Sequence, residues 1–338
     1  MSTNHPDHPD TPLRWGVLST ANIGTQQVIP AIQASVGGTV VAISSRNQER
    51  ANAVAGELGV GTAYGSYDAL LEDPSVEAIY NPLPNHLHVH WSIKAIEAGK
   101  HVLCEKPIGI DTTDAELLAA AAAAHPELVV MEAFMYRFHP QWQFVRRQIS
   151  DGAIGDVRYI SQDFSYFNED PENIRNNPEW GGGALMDIGC YPISQARFVL
   201  GSEPIRTLAT LDIDPRFGTD RQVTALLDFG EATATFTAGT QAHDHQRCHI
   251  VGTSGQIEID IPVNAPKDAA TRVTIAADET TIHEFGPVDQ YGAQADAMAR
   301  AIHTHTGPPH PLRDAVANMR VIDAVRTSHA TGGWVDIG

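Results

Sequence analysis

The chain has 338 residues, a formal net charge of −19 and three cysteines. Its length predicts about two domains. The acidic balance argues against nucleic acid or an anionic membrane surface as the main partner, because phosphate binding needs basic side chains. Three cysteines without paired spacing do not form a disulfide framework, and no apolar run approaches the roughly 18 residues that span a membrane. We therefore expect a globular cytoplasmic protein.

The first half of the chain alternates strands and helices. Residues 1–12 are polar and rich in His, Pro and Asp, which predicts a disordered leader rather than a signal peptide. From residue 13, short apolar strands alternate with helices, and this order predicts a parallel sheet of βαβ units. The predicted strands cover 13–19, 39–45, 63–64, 78–81, 101–104 and 129–132; the predicted helices cover 20–35, 48–58, 67–71, 86–98 and 113–125.

The pattern changes near residue 132. Longer strands with period-two alternation follow, and they predict an antiparallel or mixed sheet. These strands cover 157–167, 205–214, 224–229, 232–240, 245–251 and 256–261, and the accompanying helices cover 139–151, 183–200, 289–305 and 314–328. The predicted fold class is α/β, with a parallel-sheet domain at 13–132 and a second domain at 133–338.

The turn after the first strand lies where the dinucleotide fingerprint G-x-G-x-x-G is expected. Its three positions hold Ser19, Ala21 and Gly24. Small residues let the backbone approach a pyrophosphate, and the following helix N-terminus offers N–H donors. An ordinary strand–turn–helix explains this turn equally well, because two of the three glycines are absent.

The end of the second strand distinguishes the two nicotinamide cofactors. An NAD site usually carries Asp or Glu there, whereas this chain has Ser44, Ser45 and Arg46. No carboxylate repels a 2′-phosphate, and hydroxyl and guanidinium groups suit one. A solvated turn is the alternative, but the position favours NADP over NAD.

Two further loops follow predicted parallel strands, whose carboxyl ends line the ligand crevice in such sheets. They are Asn81–Asn85, with two prolines, and Glu105-Lys106-Pro107. A lysine at this edge can be partly desolvated, which lowers its pKa and suits proton transfer. From the residues alone, a surface lysine in a salt bridge is the simpler interpretation.

Several motifs together resemble the glucose–fructose oxidoreductase / inositol dehydrogenase family. They are P-N-x-x-H at 84–88, A-x-x-x-G-K-H-V at 95–102, E-K-P at 105–107, the run at 132–140 and G-G-G-x-x-x-D within 181–191. The resemblance implies an N-terminal Rossmann domain and a C-terminal α/β domain with an open, mostly antiparallel sheet. Because that sheet commonly forms the oligomer interface, we expect a homodimer or homotetramer.

The resemblance also implies catalytic roles for Lys106, Asp187 and Tyr191. Many relatives have His where this chain has Tyr191, which is similar to the subgroup of NADP-dependent xylose dehydrogenases and dimeric dihydrodiol dehydrogenase. Asp187 and Tyr191 are four residues apart and share a helix face. A nearby Lys106 ammonium would favour the phenolate, so that Tyr191 takes a proton from a substrate hydroxyl as hydride leaves the same carbon. Asp187 would bind a neighbouring hydroxyl or orient the base.

Aromatic and basic residues around this segment have two interpretations each. Phe164, Tyr166 and Trp180 suit the apolar face of a sugar ring, although core packing is the commoner role for the first two. Arg175 could reach a phosphate or the substrate, or be a solvated loop arginine. No metal site is expected, since His86 and His90 share a helix face without a third ligand.

The sequence therefore predicts an NADP-dependent oxidoreductase that acts on a sugar, most directly D-xylose oxidised at C1 to the lactone. A ketosugar reductase, a dihydrodiol dehydrogenase and a non-enzymatic NADP-binding sensor are the alternatives. The expected substrate-binding residues are Lys106, Phe164, Asp187 and Tyr191. The expected cofactor-binding residues are Ser19, Thr20, Ala21, Asn22, Ile23, Ser45, Arg46, Asn81, Leu83, Pro84, His88, Glu105 and Lys106.

Overall fold

The structure, a computed structural model, describes residues 11–338. Most of the predicted leader at 1–12 therefore lies outside the described residues. The chain forms two compact units, each built from several segments. Among the described residues, the first unit holds 11–109, 113–135 and 289–315, and the second holds 110–112, 136–288 and 316–338. Within residues 11–338, no helix has the length and apolar character needed to cross a membrane.

The first unit contains a six-stranded parallel sheet in the order β3-β2-β1-β4-β5-β6. The strand order reverses between β1 and β4, as in doubly wound dinucleotide-binding sheets. The strands are nearly continuous apolar runs because helices cover both faces of such a sheet. They are β1 Leu13–Val17, β2 Gly38–Ser44, β3 Thr62–Tyr64, β4 Ala78–Asn81, β5 His101–Cys104 and β6 Val130–Glu132. The predicted parallel sheet is confirmed.

Local side-chain chemistry sets the helix ends in this unit. Asn47 and Ser66 accept hydrogen bonds from backbone N–H groups of the first turns of α2 and α3. The helix predicted over 20–35 is not uniform: Gly24–Val28 is a π-helical turn, and Pro30 lies in the first turn of α1, where a missing N–H is tolerated. The helices are α1 Ile29–Ala34, α2 Gln48–Leu58, α3 Tyr67–Leu71, α4 Asn85–Glu97 and α5 Thr112–Ala123.

The second unit contains a nine-stranded sheet in the order β14-β13-β12-β11-β7-β10-β9-β8-β15. Strands β7 and β10 pair in parallel and the other neighbours are antiparallel, which confirms the α/β fold class. The strands are β7 Val157–Phe167, β8 Arg206–Ile213, β9 Asp220–Asp228, β10 Thr233–Gly239, β11 Gln241–Gly252, β12 Gln256–Ile259, β13 Thr271–Ala276, β14 Thr280–Phe285 and β15 Val335–Asp336. The remaining helices are α6 Pro140–Ser150, α7 Cys190–Leu200, α8 Gln290–Thr304 and α9 Leu312–Thr331.

The division of the chain differs from the predicted one. We expected all of 133–338 in the second domain, but residues 289–315 return to the first unit. There α8 packs against α1 and β2, and the Asp296 carboxylate accepts a hydrogen bond from the Gly37 backbone N–H at 2.8 Å. An amphipathic helix pattern shows that one face is buried, but it does not show which core buries it.

His139 makes this fold sensitive to acid. It is fully buried at the N-terminus of α6, where its Nδ1 accepts the Gln141 N–H at 3.2 Å. Its Nε2 finds no hydrogen-bond partner in the described chain. Burial lowers the pKa of His139 to about 4. Because the unfolded chain then binds more protons between about pH 6.5 and 4, the free energy of unfolding falls as the pH falls through this window.

We expect His139→Asn to remove the His139 part of this dependence, since Asn also caps helices but does not titrate, while the part due to buried His88 remains. A pKa of about 4 in the folded protein, against the ordinary value of 6.5, corresponds to roughly 3 kcal/mol of unfolding free energy between pH 7.5 and 4. Urea unfolding at both pH values measures it. Equal pH dependence in the variant and the original protein would contradict this role for His139.

Candidate functional site

The predicted cofactor residues of the first unit lie in loops at the carboxyl edge of its sheet. These loops follow β1, β2, β4 and β5, on both sides of the reversal in strand order. Ser19 adopts φ +67°, the left-handed region that glycine enters freely and other residues enter at a cost of about 1 kcal/mol. Its Oγ accepts the Ala21 N–H at 3.3 Å. The turn thus has the backbone conformation that the fingerprint requires, although serine replaces its first glycine.

Two arginines meet the loop after β2. Arg46 is exposed and its charge acts on Tyr67, and Arg50 donates from Nε to Thr20 Oγ1 at 2.7 Å. Burial raises the pKa of Tyr67, whereas the Arg46 charge acts in the opposite direction. Arg50 therefore joins the first turn of α2 to the turn after β1, and guanidinium groups at this position are of the type that binds phosphate. Sequence reasoning missed Arg50, although its place one helical turn beyond Arg46 was a usable signal.

The serines of this loop are held by the backbone. Ser44 is fully buried and donates its hydroxyl to the Val17 carbonyl at 3.2 Å. Ser45 is also buried, and its Oγ accepts the Asn47 N–H at 3.3 Å. The loop is consequently ordered before any ligand binds.

The side chains of Asn81 and His88 shape the neighbouring loops instead of facing solvent. The Asn81 amide donates to the His88 carbonyl and to Ser92 Oγ, both at 3.0 Å. The ring of His88 lies 2.8 Å from the Pro107 carbonyl through Nδ1 and 2.6 Å from the Leu83 carbonyl through Nε2. Burial lowers the pKa of His88 to about 4, although both carbonyls act to raise it. These two side chains hold the Leu83 and Lys106 loops, and the expectation that Asn81 and His88 bind the cofactor stays a prediction.

The Glu105-Lys106-Pro107 loop is fixed from both sides. Glu105 accepts the Tyr80 hydroxyl at 2.7 Å and the Lys106 backbone N–H at 3.3 Å. The Ile108 N–H donates to the Glu132 carboxylate at 2.8 Å, and the Lys106–Pro107 peptide bond is cis. Lys106 itself is half-buried. Its side chain therefore starts from a well-defined backbone position at the end of β5.

In the second unit, Asp187 is held by two neighbours. Its Oδ2 accepts the Tyr166 hydroxyl at 2.6 Å and forms an ion pair with Arg175 Nε at 2.9 Å. Burial, followed by the Asp187 charge, raises the pKa of Tyr166, and Asp187 also raises the pKa of Arg175. Asp187 is thus an oriented carboxyl group. Tyr166 and Arg175 belong to its immediate surroundings.

The triple-glycine motif explains how this arrangement is built. A Cβ at Gly182 would lie 2.4 Å from the Arg175 carbonyl oxygen, and one at Gly183 would lie 2.0 Å from Asp220 Oδ1. Gly183 also adopts φ +109° and donates its N–H to the Arg175 carbonyl at 2.8 Å. Asp220 in turn accepts the Leu185 N–H at 2.6 Å, at the start of the helical segment. Glycine lets the Arg175 loop and the Asp220 carboxylate approach the helix that carries Asp187.

Tyr191 lies one helical turn beyond Asp187, in α7. Its ring packs edge-on against Phe164 and Tyr136, with centroid separations of 6.0 and 6.2 Å. Phe164 and Tyr191 are both buried, and the phenyl ring of Phe164 supports the Tyr191 ring. The core-packing interpretation of Phe164 is therefore the one its contacts favour.

The structure groups the predicted residues within each unit. The first unit gathers the loops after β1, β2, β4 and β5, including Lys106. The second unit brings together Phe164, Asp187 and Tyr191, and adds Tyr166 and Arg175. No group of three or more His, Cys, Asp or Glu side chains within residues 11–338 is arranged to hold a metal ion.

Comparison with known proteins gives concordant matches. Residues 13–133 match the oxidoreductase family with an NAD-binding Rossmann fold, and residues 142–258 match the GFO/IDH/MocA C-terminal domain. A D-xylose 1-dehydrogenase (NADP(+)) of Haloferax volcanii is 39% identical over 330 residues, which cover 96% of this chain and 100% of that protein.

Reductases of modified sugars are also similar. A dTDP-3,4-didehydro-2,6-dideoxy-alpha-D-glucose 3-reductase of Actinomadura kijaniata is 34% identical over 322 residues, 94% of this chain and 95% of that protein. The crystal structure of a 3-ketoreductase from Actinomadura kijaniata, in complex with NADP and TDP-benzene, matches with a TM-score of 0.88 and 32% identity. That match covers 94% of this chain and 98% of that chain.

Proposed function

The chain belongs to the GFO/IDH/MocA oxidoreductase family, and from this premise we propose that it is an NADP-dependent sugar dehydrogenase. The family resemblance noted in the sequence is confirmed. The proposed reaction is oxidation of an aldose, D-xylose first, at C1 to the lactone. The observation that carries the proposal is the anchored Asp187 carboxylate with Tyr191 one helical turn away, in a chain similar over nearly its whole length to a D-xylose 1-dehydrogenase.

NADP is the proposed cofactor. Ser19–Ile23 would receive the pyrophosphate at the first turn, and Arg46 and Arg50 would bind the 2′-phosphate. No Asp or Glu lies between Ser44 and Asn47, so the loop lacks the carboxylate that an NAD site usually directs at the ribose. The nicotinamide, when bound, exchanges a hydride with the substrate carbon.

Side chains of the protein would transfer the proton of the substrate hydroxyl. We assign to Tyr191 Oη the proton that leaves the C1 hydroxyl, and to Lys106 the positive charge that favours the phenolate. Asp187 would accept a hydrogen bond from a neighbouring substrate hydroxyl and fix the sugar's orientation. The Lys106 assignment rests on the E-K-P motif and on the ordered loop described above.

A second candidate is the reverse reaction on a ketosugar. It is supported by the similarity to a 3-ketoreductase over 94% of this chain. The same residues serve it, with Tyr191 donating a proton to the carbonyl oxygen. Which substrate is used then depends on the shape of the sugar pocket. A dihydrodiol dehydrogenase would use the residues in the same way, whereas a non-enzymatic sensor would have no need of them.

A substrate panel tests the proposal. Purified protein is mixed with NADP or NAD and with aldoses, polyols or a dihydrodiol, at low and high salt, and nicotinamide absorbance is followed. Ketosugars with NADPH form the reductive arm. Fast NADP reduction by a pentose is the expected result. Activity only with ketosugars and NADPH would favour the second candidate. No turnover in either direction, with intact NADP binding, would favour a sensor.

We further propose that the open sheet of the second unit joins two or four copies of this chain. Its outward positions carry small hydroxyl residues in register, such as Ser161 beside Thr235 and Thr224 beside Thr237. Large apolar residues on the same unit are exposed, including Tyr159 at 46% and Phe167 at 63%. Small residues permit close approach of a second sheet, and exposed apolar residues mark association surfaces.

We expect light scattering to give a mass two or four times that of the 36.5 kDa chain. Thr235→Arg, in the middle of the face, should yield monomers because it places unpaired charge in the interface. Thr62→Arg, on the exposed edge strand β3 of the first unit, is the matched control. A monomeric original protein, or a Thr235→Arg variant of unchanged mass, would contradict the proposed interface.

A further inference from the structure

Arg175 presents hydrogen-bond donors that residues 11–338 do not use. Its Nε forms the ion pair with Asp187, and its side chain is 40% exposed. Neither Nη atom donates a hydrogen bond to another residue of the described chain. Since each Nη carries two N–H groups, the anchored guanidinium keeps further donors, and one N–H of each Nη faces its outer edge.

The position of this guanidinium is fixed independently of any ligand. The Asn173 side chain accepts the Arg175 backbone N–H at 3.0 Å, and the Arg175 carbonyl accepts the Gly183 N–H at 2.8 Å. The Asp187 ion pair then fixes the far end of the side chain. A pre-ordered side chain loses little conformational entropy when it binds a ligand.

Arg175 also lies within electrostatic reach of the proposed base. Asp187 is the first cause of the raised pKa of Arg175, and the Tyr191 phenol contributes in the same direction. The Arg175 guanidinium and the Tyr191 phenol are therefore near enough to interact electrostatically. The unused donors therefore belong to the same group of residues as Asp187 and Tyr191.

We propose that Arg175 is a substrate-binding residue whose two Nη groups bind neighbouring hydroxyl oxygens of the sugar. This inference rests on the proposed function and adds a specificity determinant to it. The planar fork of a guanidinium matches two adjacent oxygen atoms, and hydrogen bonds from a charged donor are stronger than those between neutral groups. Asp187 serves as the anchor that aims the fork.

Kinetics with deoxy sugars tests the contact. The protein and its Arg175→Gln variant are assayed with NADP and D-xylose, then with the 2-deoxy, 3-deoxy and 4-deoxy analogues. We expect Arg175→Gln to lower kcat/KM for xylose by roughly 10- to 100-fold, mainly through KM. For at least one analogue, which already lacks the contacted hydroxyl, the loss should be several-fold smaller. Arg272→Gln, an exposed arginine paired with Asp260, is the matched control.

Two further variants separate contact from structural support. Arg175→Lys should recover part of the xylose activity, and added guanidinium ion should raise the rate of Arg175→Ala. Equal losses for xylose and all three analogues, or an unchanged Arg175→Gln, would overturn the inference while the active parent protein keeps the proposed function. A parent protein without turnover on any substrate would overturn the proposed function and this inference with it.

Discussion

Replacing Tyr191 with Phe is expected to lower kcat by roughly 10²- to 10⁴-fold, the usual contribution of a positioned general base, with NADP affinity nearly unchanged. The substitution removes only the hydroxyl oxygen that would exchange a proton with the substrate. The ring itself keeps its edge-on contacts with Phe164 and Tyr136. Steady-state kinetics with the best sugar of the panel, together with titration of NADP binding, measures both quantities.

Tyr159→Phe is the matched control for this experiment. Tyr159 is an exposed tyrosine at the start of β7, on the outward face of the same unit. Phe keeps the apolar ring on the proposed association surface and removes only the hydroxyl, so kcat should stay within about twofold. If Tyr191→Phe retained the full rate, Tyr191 would not be the base, and the assignment of Asp187 as its neighbour in the reaction would lose its basis.

Removing the two arginines near the β2 loop is expected to change the cofactor preference. Arg46→Ala and Arg50→Ala should each weaken NADP binding by roughly 10- to 100-fold, because each deletes a charge-assisted hydrogen bond to phosphate. Binding of NAD, which lacks the 2′-phosphate, should change little. Arg50→Ala also deletes the Thr20 contact at 2.7 Å, so it should weaken NAD binding more than Arg46→Ala does.

Calorimetric titration of NADP and NAD into each variant measures this preference. Arg300→Ala, on the surface of α8 in the same unit, is the control and should bind both cofactors as the original protein does. Parallel losses for NADP and NAD in both arginine variants would show that these side chains support the loop and do not recognise the phosphate.

The parallel sheet was predictable because buried strands and amphipathic helices carry strong local signals. Strands β13 and β14 were missed for the opposite reason. Residues 271–285 are rich in threonine and charge, and β14 is mostly exposed, so apolar alternation is weak. The pairing of β13 with β12 and β14 supplies hydrogen bonds that no local pattern reports.

In the candidate site too, some residues carry a local sequence signal and others do not. The motifs located Lys106, Asp187 and Tyr191, because family motifs are contiguous in the chain. Sequence alone could not show that Arg175 pairs with Asp187, since the contact depends on a glycine turn that folds the loop back on the helix. Nor could it show that His88 faces two carbonyl groups and stays inside the protein.

The return of residues 289–315 to the first unit has a consequence for how the chain is made. The Gly37 N–H receives its hydrogen-bond acceptor, Asp296, only after 259 further residues have been synthesised. At translation rates of about 5–20 residues per second, the first-made unit therefore waits on the order of ten seconds or more for its last helix. By then most strands of the second unit's sheet have been synthesised. The first unit is therefore begun first but completed late.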